Sequence, residues 1–203
     1  MQPSLAMSGA KIAWQPPIKI RSDEALVALI AAHDRGAMRD LFVRHNVQVF
    51  RFLLRAVGDP GAAEDLLNEV FIDIWRNAGQ FEARSKVSTW IFAIAHFKAV
   101  ASRRRRACDQ LDDNAVESIE DAGDDPEVTA QRRSSCATVR ECLGLLSPAH
   151  RTIIDLIYYH EQSIAEVARI IGVPQNTVKT RAYYARKRVA QLLVECGVER
   201  ESL

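Results

Sequence analysis

Apolar residues recur every three to four positions along this chain, and nowhere do they alternate over a run bounded by hairpin turns. That pattern predicts helices and no strands. Leu26, Val27, Leu29 and Ile30 open a first helix behind a Ser22-Asp23 cap. A second runs from about Ala37 to Val57 on Leu41, Phe42, Val49, Phe50, Phe52, Leu53 and Leu54, and Gly58-Asp59-Pro60-Gly61 breaks it. A third covers Ala62 to Arg76 and a fourth Ser88 to Arg106. Further on, helices are predicted near Arg132 to Leu146, from Pro148 to about Tyr159 behind a Ser147 cap, over Ile164 to Ile171, and from beyond Pro174 to about Cys196.

Charge divides this helical string. The net charge of +1 conceals a basic block over 1–106 (+6), an acidic strip over 107–131 (−9, with no base) and a second basic block over 132–203 (+4). The strip contains Gly123, Pro126, isolated aliphatics and no aromatic residue, so it cannot bury enough surface to fold alone and reads as a linker. The expected architecture is all-α: two small helical domains joined by an acidic flexible linker. Residues 1–22 form a flexible tail, 23–106 the first domain, 107–131 the linker and 132–203 the second domain. Two separate basic blocks point to polyanion contact at two places. No run of 18 apolar residues exists, which argues against membrane insertion, and the N-terminus has no secretory h-region.

The chemistry of an enzyme is missing from the pattern. There is no Gly-rich phosphate loop and no nucleophile signature, and His33, His45, His96, His150 and His160 are dispersed. Cys108, Cys136, Cys142 and Cys196 include no C-x-x-C pair and read as plain reduced thiols. Asp112-Asp113 and Asp124-Asp125 lie in the linker, which presents no fixed metal cage. No enzyme, metal or cofactor is therefore expected.

The strongest motif runs from Ile164 to Arg181: a short amphipathic helix, a turn at Gly172-Val173-Pro174 and a second helix. Ala168 is small where two helices should cross, and Gly172 suits a left-handed cap. This is a helix-turn-helix pattern. On the second helix Val178, Ala182, Ala185, Val189 and Leu192 form one stripe. The opposite face holds Thr180, Tyr183, Tyr184, Lys187 and Gln191, flanked by Thr177, Lys179, Arg181, Arg186 and Arg188. A solvated face on an ordinary helix is the bland alternative. However, Lys179 to Arg188 contains bases and no acid, whereas an ordinary exposed helix mixes signs. The face is suited to bases and phosphates of DNA.

In the first domain, Leu66, Leu67, Val70, Phe71, Ile74 and Trp75 take one half of the third helix. Asp65, Asn68, Glu69, Ile72, Asp73 and Arg76 take the other, an apolar centre in a mostly acidic rim. Alone, that pattern suits a solvated face with one stray isoleucine better than a protein contact. The fourth helix ends in Arg103-Arg104-Arg105-Arg106, which suits a phosphate backbone or, more plainly, a basic helix end facing its own dipole. Trp90, Ile91, Ile94 and Phe97 follow helical spacing and read mostly as core.

Together the two halves resemble a known family. Residues 63–75 (Ala63 to Trp75) followed by Ser88 to Ala95 resemble region 2 of bacterial RNA polymerase sigma factors, and Leu145 to Arg151 followed by Ile164 to Arg188 resemble region 4. The size and the acidic linker are similar to the extracytoplasmic-function (group IV) class of the sigma-70 family. The resemblance implies a cytoplasmic factor that binds core RNA polymerase and directs it to promoters. It implies that Asp65, Asn68, Glu69, Ile72, Asp73 and Arg76 dock on the polymerase, which reverses the bland preference for that face. It implies that region 2 captures a base flipped from the −10 element, at a cost of a few kcal/mol offset by a reading pocket. Gln80, Phe81, Glu82, Arg84, Ser85 and Lys86 match the pocket loop, with Ile94 and Phe97 as the other wall and Arg103 and Arg104 beside it. It further implies that Thr177, Lys179, Thr180, Arg181, Tyr183, Tyr184, Lys187 and Arg188 face the −35 element, that an anti-sigma factor regulates the chain, and that the linker threads toward the polymerase active site. The sequence departs from the family at Ile94-Ala95-His96-Phe97, where many members have Ile-Ala-Arg-Asn, and at Tyr184, where arginine is common. The −10 and −35 preferences therefore do not transfer.

A conventional helix-turn-helix regulator, binding operators unaided, is the competing reading. It accounts for 132–203 and leaves the region 2 motifs unexplained.

Overall fold

The computed structural model describes residues 21–109 and 142–195. The expected linker from 110 onward, most of the expected tail and most of the helix predicted before Leu146 lie outside the described residues. Within them the chain is helical throughout, with no strand. The helices are α1 (Asp23–Ala31), α2 (Arg35–Val57), α3 (Pro60–Asn77), α4 (Val87–Asp109), α5 (Pro148–Ile154), α6 (Ile164–Ile171) and α7 (Gln175–Glu195).

Helix boundaries are set by side chains that satisfy the orphan amides of the first turn. The Ser22 hydroxyl accepts from the Ala25 N–H at 3.2 Å, and the Asp34 carboxylate accepts from Gly36 and Ala37. Asp59 accepts from the Ala62 N–H at 2.6 Å, with Pro60 in the first turn, where its missing N–H costs nothing. Ser163 and Glu166 cap α6 reciprocally. Each such cap contributes about 1 kcal/mol. Gly58, in the left-handed region at φ 77°, ends α2 with its N–H donating to the Leu54 carbonyl.

α2 is the axis of the first helical part. It buries Leu41, Val49, Phe52 and Leu53 against α1, α3 and α4. In the second part α7 packs on α5 and α6. The two parts are not separate bodies. α4 lies against α6, and one continuous buried cluster runs from Leu26 through Phe52, Phe92 and Ile91 to Leu156, Val167, Ile170 and Ala182. A smaller cluster of Cys142, Leu146, Ile154, Ala185 and Leu192 belongs to the second part.

One predicted helix differs in form. Pro148 to Tyr159 reads in the sequence as a single helix, but α5 ends at Ile154 and the chain widens into a π-helical turn over Asp155–Tyr159. The His160 N–H reaches back to the Asp155 carbonyl at 3.2 Å. Periodicity does not register such a turn, because it inserts a residue without changing the apolar or polar character of its neighbours.

Candidate polymerase and nucleic-acid interface

α3 presents the predicted protein-binding face. Asp65, Asn68, Ile72 and Arg76 are exposed, Ile72 at 47 %, while Leu66, Val70, Phe71 and Ile74 are buried on the other side. Glu69 and Asp73 are half-buried and engaged: Lys98 Nζ, from α4, lies 3.1 Å from Glu69 Oε2 and 2.8 Å from Asp73 Oδ2. Burial works against the Lys98 charge, but hydrogen bonds to Asp73 and Glu69 more than offset it and hold the ammonium above the ordinary lysine range. Two of the predicted rim acids are thus neutralised locally, and the rim is less acidic than the sequence implies. The apolar centre is larger than one isoleucine. Arg35 and Met38 of α2 join Asn68, Phe71, Ile72 and Trp75 in an open, mainly apolar groove. Sequence reasoning missed Arg35 and Met38 because it read α3 alone; the signal was Met38, part-exposed one turn before the apolar run of α2.

The predicted pocket loop follows a 3-10 turn over Ala78–Gln80. Phe81 is half-buried, its ring centre 5.1 Å from that of Trp90 on α4. Gln80, Glu82, Arg84 and Lys86 are exposed and Ser85 is half-buried. Arg84 Nε pairs with Glu82 Oε2 at 2.6 Å across Ala83, whose φ of 52° is a left-handed conformation that costs a residue with a Cβ about 1–2 kcal/mol. Trp90, Ile94 and Phe97 follow at spacings that share one side of α4. Trp90 and Ile94 are half-buried, but Phe97 is 56 % exposed, so it is not core. The structure therefore gathers Phe81, Trp90, Ile94 and Phe97 along one aromatic wall. His96 beside it is pushed down to about 4 by burial and then by the charge of Arg103, so this wall carries no histidine charge at neutral pH. Arg103 is half-buried and Arg104 exposed; Arg106 lies 3.4 Å from Asp59.

α7 divides as the wheel predicts. Val178, Ala182, Ala185 and Leu192 are buried and Val189 half-buried. Lys179, Thr180, Tyr183, Tyr184, Lys187 and Arg188 are exposed, with Thr177 and Arg181 half-buried at the flanks. The Tyr183 and Tyr184 rings meet edge-on, 5.4 Å apart, which stiffens both. Gly172 is left-handed at φ 70° and turns α6 into α7, as Gly at that position predicts. A shallow groove is lined by Tyr184, Lys187, Arg188, Gln191 and His150. His150, in the first turn of α5, was not among the predicted residues; only the packing of α5 on α7 brings it there.

Comparison with known proteins matches both halves. The family model for Sigma-70 region 2 matches residues 41–108, and that for Sigma-70 region 4 matches residues 136–189. Together these span more than half of the chain. The chain belongs to the sigma-70 family of RNA polymerase sigma factors. Within that family it is an extracytoplasmic-function (ECF) factor, and it serves promoter-specific transcription initiation. It is 28 % identical over 172 residues to the ECF RNA polymerase sigma factor SigK of Mycobacterium tuberculosis, covering 81 % of this chain and 90 % of that one. It is also 28 % identical over 180 residues to SigL of the same species, covering 87 % and 99 %. Among solved structures it shares its fold with the sigma factor RpoE of Bartonella quintana, solved with the anti-sigma factor NepR (TM-score 0.65, 23 % identity, 76 % of this chain and 95 % of that one). It shares it also with CnrH, solved with the cytosolic domain of CnrY (TM-score 0.64, 22 % identity, 85 % and 97 %). No helix among the described residues of the sigma factor is long and apolar enough to cross a membrane.

Proposed function

We propose that this sigma factor divides its work among the three faces just described. The α2–α3 groove with Asp65, Asn68, Ile72 and Arg76 docks on core RNA polymerase, and Glu69 and Asp73 act there through Lys98. The loop Gln80 to Lys86 and the aromatic wall ending at Ile94 and Phe97 read a flipped base of the −10 element, with Arg103 and Arg104 on its phosphates. The outward face of α7, from Thr177 to Arg188, reads the −35 element, Tyr183 and Tyr184 toward base edges and Lys187 and Arg188 toward the backbone. The observation that carries this reading is the α7 face: exposed, basic, without an acid between Lys179 and Arg188, and fixed by a buried stripe behind it. The domain limits 23–106 and 132–203 follow the same division.

The bond-making step belongs to the polymerase, and this chain supplies no catalytic group. It works in the cytoplasm, beside polymerase and chromosome. By likeness to relatives solved with anti-sigma factors, it takes such a partner, which covers one or more of these faces. The test is transcription with purified core polymerase and a pooled genomic promoter library, with RNA 5′ ends sequenced. Start sites sharing two upstream boxes are expected, together with their loss in a Tyr183→Ala, Tyr184→Ala chain. Start sites that keep the upstream box unchanged in that variant would remove α7 from −35 reading.

A further inference from the structure

α2 carries a second apolar row, on the side away from the core. Leu41, His45, Val49 and Phe52 face inward and are buried. Val43, Val47, Phe50 and Leu54 recur at steps of four, three and four, and residues so spaced share one side of a helix. Val43 is 64 % exposed and Val47 51 %, while Phe50 and Leu54 are half-buried against the edge of the core. Arg39, Asp40 and Arg51 border the row with mixed charge, so what it recognises is apolar. The row is distinct from the α2–α3 groove, to which α2 contributes Arg35 and Met38. An exposed apolar row on an otherwise polar helix face marks a contact.

The N-terminal segment has the matching pattern. Residues 1–20 lie outside the described residues, but part of their sequence departs from the helical period of the rest. Ile12, Trp14, Pro16, Ile18 and Ile20 occupy alternate positions, with Lys11, Gln15, Lys19 and Arg21 on the intervening register. In extended backbone alternate side chains share a face, so such a segment has one apolar side and one polar side. Pro16-Pro17 favours extended backbone and lacks two amide donors, which suits a strap laid on side chains better than a helix or a sheet strand. The first described residue is anchored beside the apolar row. Arg44, between Val43 and Val47 in sequence, donates from Nη1 to the Arg21 carbonyl at 2.6 Å and to Asp23 Oδ1 at 2.8 Å. The lengths agree as well. Val43 to Leu54 covers about 16 Å along a helix axis, and Ile20 to Trp14 covers about 20 Å of extended chain.

We propose that residues 12–20 lie as an extended strap along the outer face of α2, with Ile20 against Val43 and Val47, Ile18 against Phe50 and Trp14 at Leu54. The strap covers the apolar row and leaves Lys11 and Lys19 in water. The segment expected from the sequence to be a flexible tail is, on this reading, a fixed part of the first domain. Modest apolar contact suffices, because the docking is intramolecular. A short tether supplies an effective concentration of about 1 mM, so a contact with a Kd of about 0.1 mM is closed about ten to one.

The experiment follows Trp14 fluorescence in the full-length chain. A Trp14→Phe chain supplies the emission of Trp75 and Trp90, and subtraction leaves that of Trp14. Trp14 is expected to be shielded from acrylamide in the unaltered chain. Its quenching is expected to rise at least about threefold when a contact closed about ten to one is released. Val43→Asp, Val47→Asp on α2 and Ile18→Asp, Ile20→Asp on the strap should release it equally, and all four changes together should add nothing further. Val43 and Val47 are exposed, so the thermal melt of the α2 variant should be unchanged, which separates release from unfolding. Free quenching of Trp14 in the unaltered chain overturns the strap, and so does shielding that survives the α2 changes. Sedimentation of the same samples tests a rival occupant. A dimer that dissociates in the α2 variant and persists in the strap variant puts a second copy of this chain on the row and overturns the strap.

Discussion

Arg55→Ala measures how strongly the two parts are held together. Breaking a buried ion pair from one side costs about 3–5 kcal/mol, and an exposed pair contributes at most about 1. The Asp155 end is buried but the Arg55 end is 32 % exposed, so water softens the loss to about 2 kcal/mol. The variant also removes the partner of His160 Nε2, and His160 Nδ1 already has none, so a buried imidazole is left without hydrogen bonds at a further cost of about 1 kcal/mol. Loss of the guanidinium over the Tyr159 ring, 4.7 Å from its centre, adds about 0.5 kcal/mol. The expected total of about 3.5 kcal/mol corresponds to a fall in Tm of about 7–14 °C for a chain of this size. Urea unfolding followed by circular dichroism reads it, and a double-mutant cycle with Asp155→Asn isolates the pair, with an expected coupling of about 1–2 kcal/mol. A change below about 0.5 kcal/mol for Arg55→Ala, or no coupling in the cycle, would refute the reasoning. Asp155 would then be satisfied without Arg55, and apolar contact alone would hold the parts together.

Three further outcomes are expected. Ile72→Glu places a charge in the apolar centre of the α2–α3 groove and should weaken binding to core polymerase about thirtyfold, roughly 2 kcal/mol, with Tm unchanged because the side chain is 47 % exposed; pull-down titration and a thermal melt check both halves. Lys187→Ala, at an exposed position of α7, should weaken promoter binding by the holoenzyme uniformly across −35 sequences and reduce the slope of log K against log salt by about one, measured by anisotropy at several salt concentrations. Stability should fall with acid in two windows. His96, pushed down from 6.5 to about 4, takes up its proton more readily in the unfolded chain, so its share of stability is complete above 6.5 and is lost as pH falls toward 4. Glu166 is held down from 4.5 to about 2 by hydrogen bonds from Lys86 and then Ser163, so its share is complete above 4.5 and is lost toward 2. Urea midpoints measured against pH should lose the upper window in His96→Gln and the lower in Glu166→Gln.

What could be read from the sequence was local. Helix starts were legible at Ser22 and Ser147, which act on amides within three residues of themselves, whereas the caps at Asp59 and Ser163 were not read. The faces of α3 and α7 were legible because period alone decides which residues share a side. The spacing that groups Phe97 with Trp90 and Ile94 does not show that Phe97 stays exposed, because period carries no information on where a neighbour stops. His150 and Met38 were missed because each enters its groove from a second helix.

Charge shows the limit most clearly. Segment totals identified two basic blocks and one acidic strip, which led to polyanions as partners. They could not show which charges are already neutralised within the fold. Lys98 takes up Glu69 and Asp73 from 29 and 25 positions away, and Arg55 reaches Asp155 across 100. Such pairs change what the totals mean. The α3 rim loses part of its acidity to Lys98, while α7 keeps its bases, its one ion pair among the described residues being Arg188 to Glu195 at 3.4 Å. The seam between the parts spends Lys86 and Arg55 on Glu166 and Asp155 while leaving Arg103 against Arg151. The charges best placed to meet DNA are therefore those the fold leaves unbalanced, and in this packing they lie on α7 and at the end of α4.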